Sequence, residues 1–214
     1  MSEAVARREW VDLEPYLHPA PLVIVISGPS GAGKDVTINR LRQLGHAFHF
    51  VVTATTRLPR PTEVHGRDYL FVSRCEFERM IVAGELLEHA LVYGEHKGIP
   101  KSQVREALAS GYDVVLRVDV QGAARLRELM PGAVFIFLTA PSKEELIERL
   151  RSRKTETEEA FRARVATAQR EMQEICHFDY VVINRDGELD CTVERIMAII
   201  TAEKSRAVPR KVEL

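Results

Sequence analysis

The chain has 214 residues, 45% hydrophobic and 29% charged, with a formal net charge of −1. That length suits one α/β unit with small inserted subdomains, and the charge balance gives no bulk electrostatic case for nucleic acid or a membrane surface. Cys75, Cys176 and Cys191 are widely spaced without a C-x-x-C pair, so a reducing compartment is expected rather than a disulfide framework. No apolar run approaches the length of a bilayer span. The first ten residues carry acids and lack an apolar signal core, so a cytoplasmic location is expected.

Residues 1–21 read as an extension broken by Pro15, Pro19 and Pro21, with Trp10, Tyr16 and Leu17 available to pack on the domain. Leu22-Val23-Ile24-Val25-Ile26 is an apolar strand run, and Val36 to Leu44 reads as a helix stopped by Gly45. Between them lies Gly28-Pro29-Ser30-Gly31-Ala32-Gly33-Lys34, the phosphate-loop pattern G-x-x-x-x-G-K. Its glycines let backbone N–H groups converge on an anion, and Lys34 adds a mobile positive charge at the helix start. The Ser or Thr that normally follows the lysine is Asp35.

Phe50 to Thr56 reads as a strand, then Pro59 and Pro61 stiffen a loop carrying Arg57 and Arg60. Tyr69 to Val72 and Leu86 to Tyr93 read as strands around a helix over 74–84, a plausible insert between core elements. The core resumes with strands at 112–119, 133–138 and 180–183. Helices between these strands argue for a parallel sheet covered on both faces, with ligands at the carboxyl ends of its strands. The loop, Asp119 and Asn184 all fall on that rim. From Glu144 to Arg170 the chain is charged and helical, interrupted near 154–157, with Thr157 as a fresh helix start. Arg149 and Arg153 share a face there, and Arg164 lies on the second helix. This pair is either a lid facing the phosphate loop or a solvated face laced with ion pairs.

Five motifs in order resemble guanylate kinases, enzymes that pass phosphate from ATP to GMP. They are the phosphate loop, Thr55-Thr56-Arg57-Leu58-Pro59-Arg60, Glu63-Val64-His65-Gly66-Arg67-Asp68-Tyr69-Leu70-Phe71-Val72, Asp119-Val120-Gln121-Gly122 and Arg153-Lys154-Thr155-Glu156-Thr157-Glu158. The resemblance covers roughly 22–204 and looks most like the plant organellar branch or a bacterial relative of it. It implies a three-layer parallel-sheet P-loop kinase fold with a GMP-binding insert (50–110) and a helical lid (146–170). The core would comprise 22–49, 111–145 and 171–206, with a tail at 207–214.

By that resemblance Gly28, Pro29, Ser30, Gly31, Ala32, Gly33, Lys34, Asp35 and Asn184 would serve ATP. Thr53, Arg57, Arg60, Glu63, Tyr69, Glu88, Lys97 and Asp119 would serve GMP, with Glu88 and Asp119 reading the guanine edge. Lys34, Arg57, Arg149, Arg153 and Arg164 would surround the transferring phosphoryl group, with Mg²⁺ as cofactor. From pattern alone, Tyr69 also fits a core position and Glu88 an exposed one.

The sequence departs from the family at four positions. Thr53 replaces a serine, Lys97 a tyrosine, Ile99 a serine or threonine, and Arg117 an aspartate near the metal. Asp35 would then restore negative charge beside Mg²⁺. Two alternatives stay open at this point: a kinase of another small phosphate acceptor such as ribose 1,5-bisphosphate, and a non-catalytic scaffold domain of the same fold.

Overall fold

The computed structural model describes residues 11–61, 63–92, 94–151 and 157–212. Its core is set by side-chain alternation along β1 (Val23–Ser27), which is buried throughout. Val23 and Val25 join one apolar cluster with Leu116, Phe135 and Leu126, while Ile24 and Ile26 join another with Ile38, Leu41 and Ile196. A strand covered on both faces must be apolar at every position, so the run 22–26 shows no polar alternation. Burying one such isoleucine fully stabilises by about 1.5–3 kcal/mol.

β1 pairs in parallel with β7 (Asp113–Arg117) and β8 (Val134–Thr139), setting Ile24 beside Val115 and Val134. β2 (Phe48–Phe50) and β9 (Tyr180–Ile183) form the edges, giving the order β2-β7-β1-β8-β9, parallel throughout. α2 (Lys34–Gln43) and α8 (Leu189–Lys204) cover one face, and α4 (Lys101–Ala109) and α5 (Val120–Leu129) the other. The result is the expected three-layer α/β fold, and β1 sits where the chain switches direction across the sheet.

A second, mixed sheet has the order β4-β3-β6-β5, formed by β3 (Ala54–Thr55), β4 (Leu70–Phe71), β5 (Leu86–Val92) and β6 (Glu95–Pro100). α3 (Arg74–Val82) starts at Ser73, whose hydroxyl accepts the Glu76 N–H, and packs Phe77 and Met80 on Ala54 and Leu86. The single strand expected over 50–56 is two. Phe50 ends a core strand, Val51 N–H still bonds the Val115 carbonyl, and the chain joins the second sheet only at Ala54. β6 and α4 were not anticipated, although Val104, Ala107 and Leu108 recur at helical spacing along α4. Val104 and Ala107 bury into the core, so the end of the stretch 50–110 rests on the parallel sheet.

α6 (Lys143–Arg151) and α7 (Glu158–Gln173) form the charged helical pair. The Thr157 hydroxyl accepts the Ala160 N–H, as its cap position requires. Leu146, Leu150 and Ala168 pack with Phe161 and Val165, so these helices share an apolar seam and are not wholly solvated. α1 (Glu14–Leu17) buries no residue. Tyr16 and Leu17 are exposed rather than packed, and Tyr16 instead donates to the Ala207 carbonyl; Trp10 lies outside the described residues. The tail is docked more firmly. Arg210 donates to Glu203 (2.7 Å) and to the Ala133 carbonyl (3.0 Å), and Val212 packs on the core.

Candidate active site

The phosphate loop leaves β1 over the carboxyl end of the sheet. Gly28 takes φ 136°, and a Cβ there would stand 2.0 Å from the Leu138 carbonyl oxygen, so no other residue fits. Lys34 Nζ folds back on its own loop, donating to the carbonyls of Gly28 (2.5 Å) and Pro29 (3.0 Å). Burial lowers its pKa to about 8, opposed by the charges of Glu171 and Asp35. Asn184, at the end of β9, braces the loop from beneath. Its amide donates to the Ala32 carbonyl (3.0 Å) and accepts the Thr192 hydroxyl (3.2 Å). From α7, Glu171 Oε2 accepts the Ser30 N–H (3.2 Å), and burial raises its pKa against the pull of Lys34.

The loop opens into a cavity of about 730 Å³ whose far wall is the second sheet. Arg57 enters it gripped by Glu63 through paired bonds of 2.9 and 2.8 Å. Glu63 also accepts the Arg60 N–H (2.8 Å); burial pushes its pKa up, but these bonds outweigh that and hold it low. Glu63 therefore orients the two arginines of its loop. Tyr69 lies between guanidinium groups, Arg57 at 5.1 Å and Arg117 at 4.4 Å from its ring centroid. Lys97 reaches the same cavity from β6, its pKa lowered by burial and partly restored by Asp119. The Thr53 hydroxyl faces the Arg117 carbonyl at 3.5 Å.

At the end of the cavity, Asp119 caps α5 by accepting the Gly122 N–H (2.9 Å). Glu88 stands beside it, 7% exposed, with Oε2 buried and unmatched by a hydrogen bond. Burial and the Asp119 charge push Glu88 up to about 7. Two adjacent carboxylates with an unused acceptor suit a ligand edge that offers two N–H donors.

Asp35 sits where loop and acceptor wall meet. Arg117 Nη1 donates to Asp35 Oδ1 at 2.5 Å, and Arg60 lies 3.9 Å from Oδ2. The negative charge gained at Asp35 and the positive charge gained at Arg117 thus meet directly.

Most sequence-derived candidates line this one cavity: Ser30 to Asp35, Thr53, Arg57, Arg60, Glu63, Tyr69, Glu88, Lys97, Asp119 and Arg164. Gly28, Pro29 and Asn184 shape the loop from behind. Arg149 donates to the Asn184 carbonyl (2.8 Å) and pairs with Glu145 one turn earlier, which holds it at the loop's flank. Arg153 lies outside the described residues. Tyr69 lines the cavity while its ring also packs beside Phe71 (5.7 Å), and Glu88 is buried rather than exposed.

A model described as guanylate kinase matches residues 21–203. The chain belongs to the guanylate kinase family. A rice protein named guanylate kinase 2, chloroplastic/mitochondrial, is 54% identical over 92% of this chain and 69% of its own length. The protein named guanylate kinase from Caldanaerobacter subterraneus subsp. tengcongensis is 46% identical over 86% of this chain and 89% of its own. The crystal structure of guanylate kinase from Anaplasma phagocytophilum matches with a TM-score of 0.72 at 32% identity, covering 88% of each chain.

Within the guanylate kinase frame, Glu171 and Asp68 were missed. Glu171 lies seven residues after Arg164 on α7, two turns along one helix face, which was the available signal. Asp68, which falls in the expected turn but was given no role, accepts the Val64 N–H (2.9 Å) and bonds from Arg67, fixing the turn before Tyr69.

Proposed function

We propose that this chain transfers the γ-phosphate of ATP to GMP, giving ADP and GDP in purine nucleotide recycling. One observation carries the proposal: a phosphate loop with its lysine and a pair of adjacent carboxylates open into the same cavity, with arginines between them. A guanine edge offers N1–H and the 2-amino group, which Glu88 and Asp119 would accept. Adenine lacks that donor pair and would leave the buried Glu88 carboxylate unmatched. Arg57, Arg60, Tyr69 and Lys97 would hold the GMP phosphate, with Thr53 supplying a hydroxyl. Arg57 and Arg60 would do so in the orientation that Glu63 imposes.

On the donor side, the loop amides and Lys34 would hold the ATP phosphates, with Asn184 keeping the loop in shape. Arg149, Arg153 and Arg164 would bring positive charge from the lid. The reaction needs alignment and charge rather than a side-chain base. Mg²⁺ commonly binds through substrate phosphates, water and one or two carboxylates. Asp35 beside Lys34 is a carboxylate of that kind, but Arg117 already donates to its Oδ1 at 2.5 Å, so the metal would share it with that guanidinium. The metal would neutralise phosphate charge, with Asp35 as its protein contact.

The core would be 22–49, 111–145 and 171–206, the acceptor insert 50–110 with α4 resting on the core, and the lid 146–170. The exposed thiols of Cys75, Cys176 and Cys191 suit a reducing compartment, for which we take the cytoplasm. No helix among the described residues is long and apolar enough to cross a membrane. Phosphorus NMR on the chain with ATP, Mg²⁺ and GMP tests the proposal. ADP and GDP should appear in equal amounts, and ADP without GDP would refute transfer.

A further inference from the structure

Arg117 has no part in the phosphoryl transfer described above, yet its side chain bridges the two halves of the cavity. It ends β7, a rigid strand of the core. Nη1 donates to Asp35 Oδ1 (2.5 Å) on the first turn of α2. Nη2 donates to the Asp68 carbonyl (3.0 Å), in the turn that leads to Tyr69. The face of the same guanidinium covers the Tyr69 ring at 4.4 Å. The side chain is only 16% exposed, so salt screens these contacts less than it would a surface pair.

We propose that Arg117 is a positioning residue that couples the phosphate loop to the acceptor insert, setting the place of Tyr69 through its grip on Asp35. This rests on the assignment of Tyr69 to the GMP phosphate. A guanidinium suits the task because its planar fork holds two acceptors in fixed directions while its face stacks on an aromatic ring. An ammonium provides one point of attachment and no face. Arg42 reinforces the same turn from α2, donating to the Arg67 carbonyl (3.0 Å) and pairing with Asp68 at 3.4 Å. The turn before Tyr69 is therefore tied to the loop's own helix at two places. Asp35, though it lies beside the donor lysine, should influence the acceptor.

Calorimetric GMP binding to the full chain, without ATP or Mg²⁺, tests this. Arg117→Met should weaken GMP by at least about tenfold, the loss expected for a pair of charge-assisted bonds. Arg117→Lys should fall within about twofold of Arg117→Met, since charge alone does not restore the fork. Asp35→Asn should weaken GMP by about threefold, and that loss should shrink when Arg117→Met is already present, because the two substitutions share the Arg117–Asp35 bridge while Arg60 at 3.9 Å is touched by Asp35→Asn alone. Unchanged GMP affinity in Asp35→Asn, or full additivity of the two substitutions, would overturn the proposal. Asp35 is half exposed, so this variant decides the matter even if Arg117→Met fails to fold. A wild-type chain that binds no GMP would overturn the acceptor assignment and this proposal together. Tight wild-type binding with an unaffected Asp35→Asn would overturn the coupling alone.

Discussion

Lowering the pH should weaken GMP far more than ATP, and Glu88 sets the size of the effect. Burial and the neighbouring Asp119 push its pKa up to about 7. Guanine presents donors to it, so only the ionised carboxylate binds well. The sign follows: below the pKa the carboxyl is protonated and a proton must leave before GMP binds. Apparent affinity scales as one over (1 + 10^(pKa − pH)). Between pH 8 and pH 6 it should therefore fall about tenfold from this group alone. The GMP phosphate also titrates near pH 6 and adds to the slope. Glu88→Gln separates the two. It should bind GMP more weakly at pH 8 and lose the Glu88 part of the slope. Calorimetry or KM for GMP, measured at half-unit steps with ATP saturating, provides the readout. The same slope in wild type and Glu88→Gln would refute the assignment of Glu88 to the guanine edge.

Other outcomes follow from the same geometry. Lys34→Ala should lower kcat by about 100- to 1000-fold, as loss of a group aimed at developing charge does, with GMP binding nearly unchanged; steady-state kinetics checks it. Glu171→Gln should tighten ATP binding severalfold, because its carboxylate lies on the Ser30 N–H and near Lys34, where the triphosphate must go; weaker ATP binding would contradict this. Gly122→Ala should raise KM for GMP and spare ATP, since a Cβ there would stand 3.0 Å from Glu88 Oε1. Arg210→Ala should cost about 1.5–3 kcal/mol by leaving the buried Glu203 short of its partner, lowering the melting temperature without altering KM.

The parallel sheet was legible because buried strands on both faces leave uninterrupted apolar runs, as at 22–26 and 133–138. The phosphate loop was legible because its backbone geometry restricts residue type, with Gly28 pressed against Leu138. The rest was harder for physical reasons. β6 and α4 meet at Pro100 without a glycine break, and each is short. The 207–214 tail shows no periodicity, because Arg210 docks it through single side-chain bonds. At the site, residue types were readable and their partners were not. Glu63 suggested a ligand contact, yet it holds Arg57 and Arg60. Arg117 and Asp35, 82 positions apart, meet only because β7 lies next to β1 in the folded sheet.

The central claim is that the acceptor wall selects a guanine nucleotide. The measurement that tests it most directly is turnover with ATP and Mg²⁺ across GMP, AMP, CMP, UMP and ribose 1,5-bisphosphate, with Lys34→Ala as control. The account predicts rapid phosphorylation of GMP, little or none of the others, and loss of turnover in the control. No turnover of GMP, or faster turnover of ribose 1,5-bisphosphate, would contradict it.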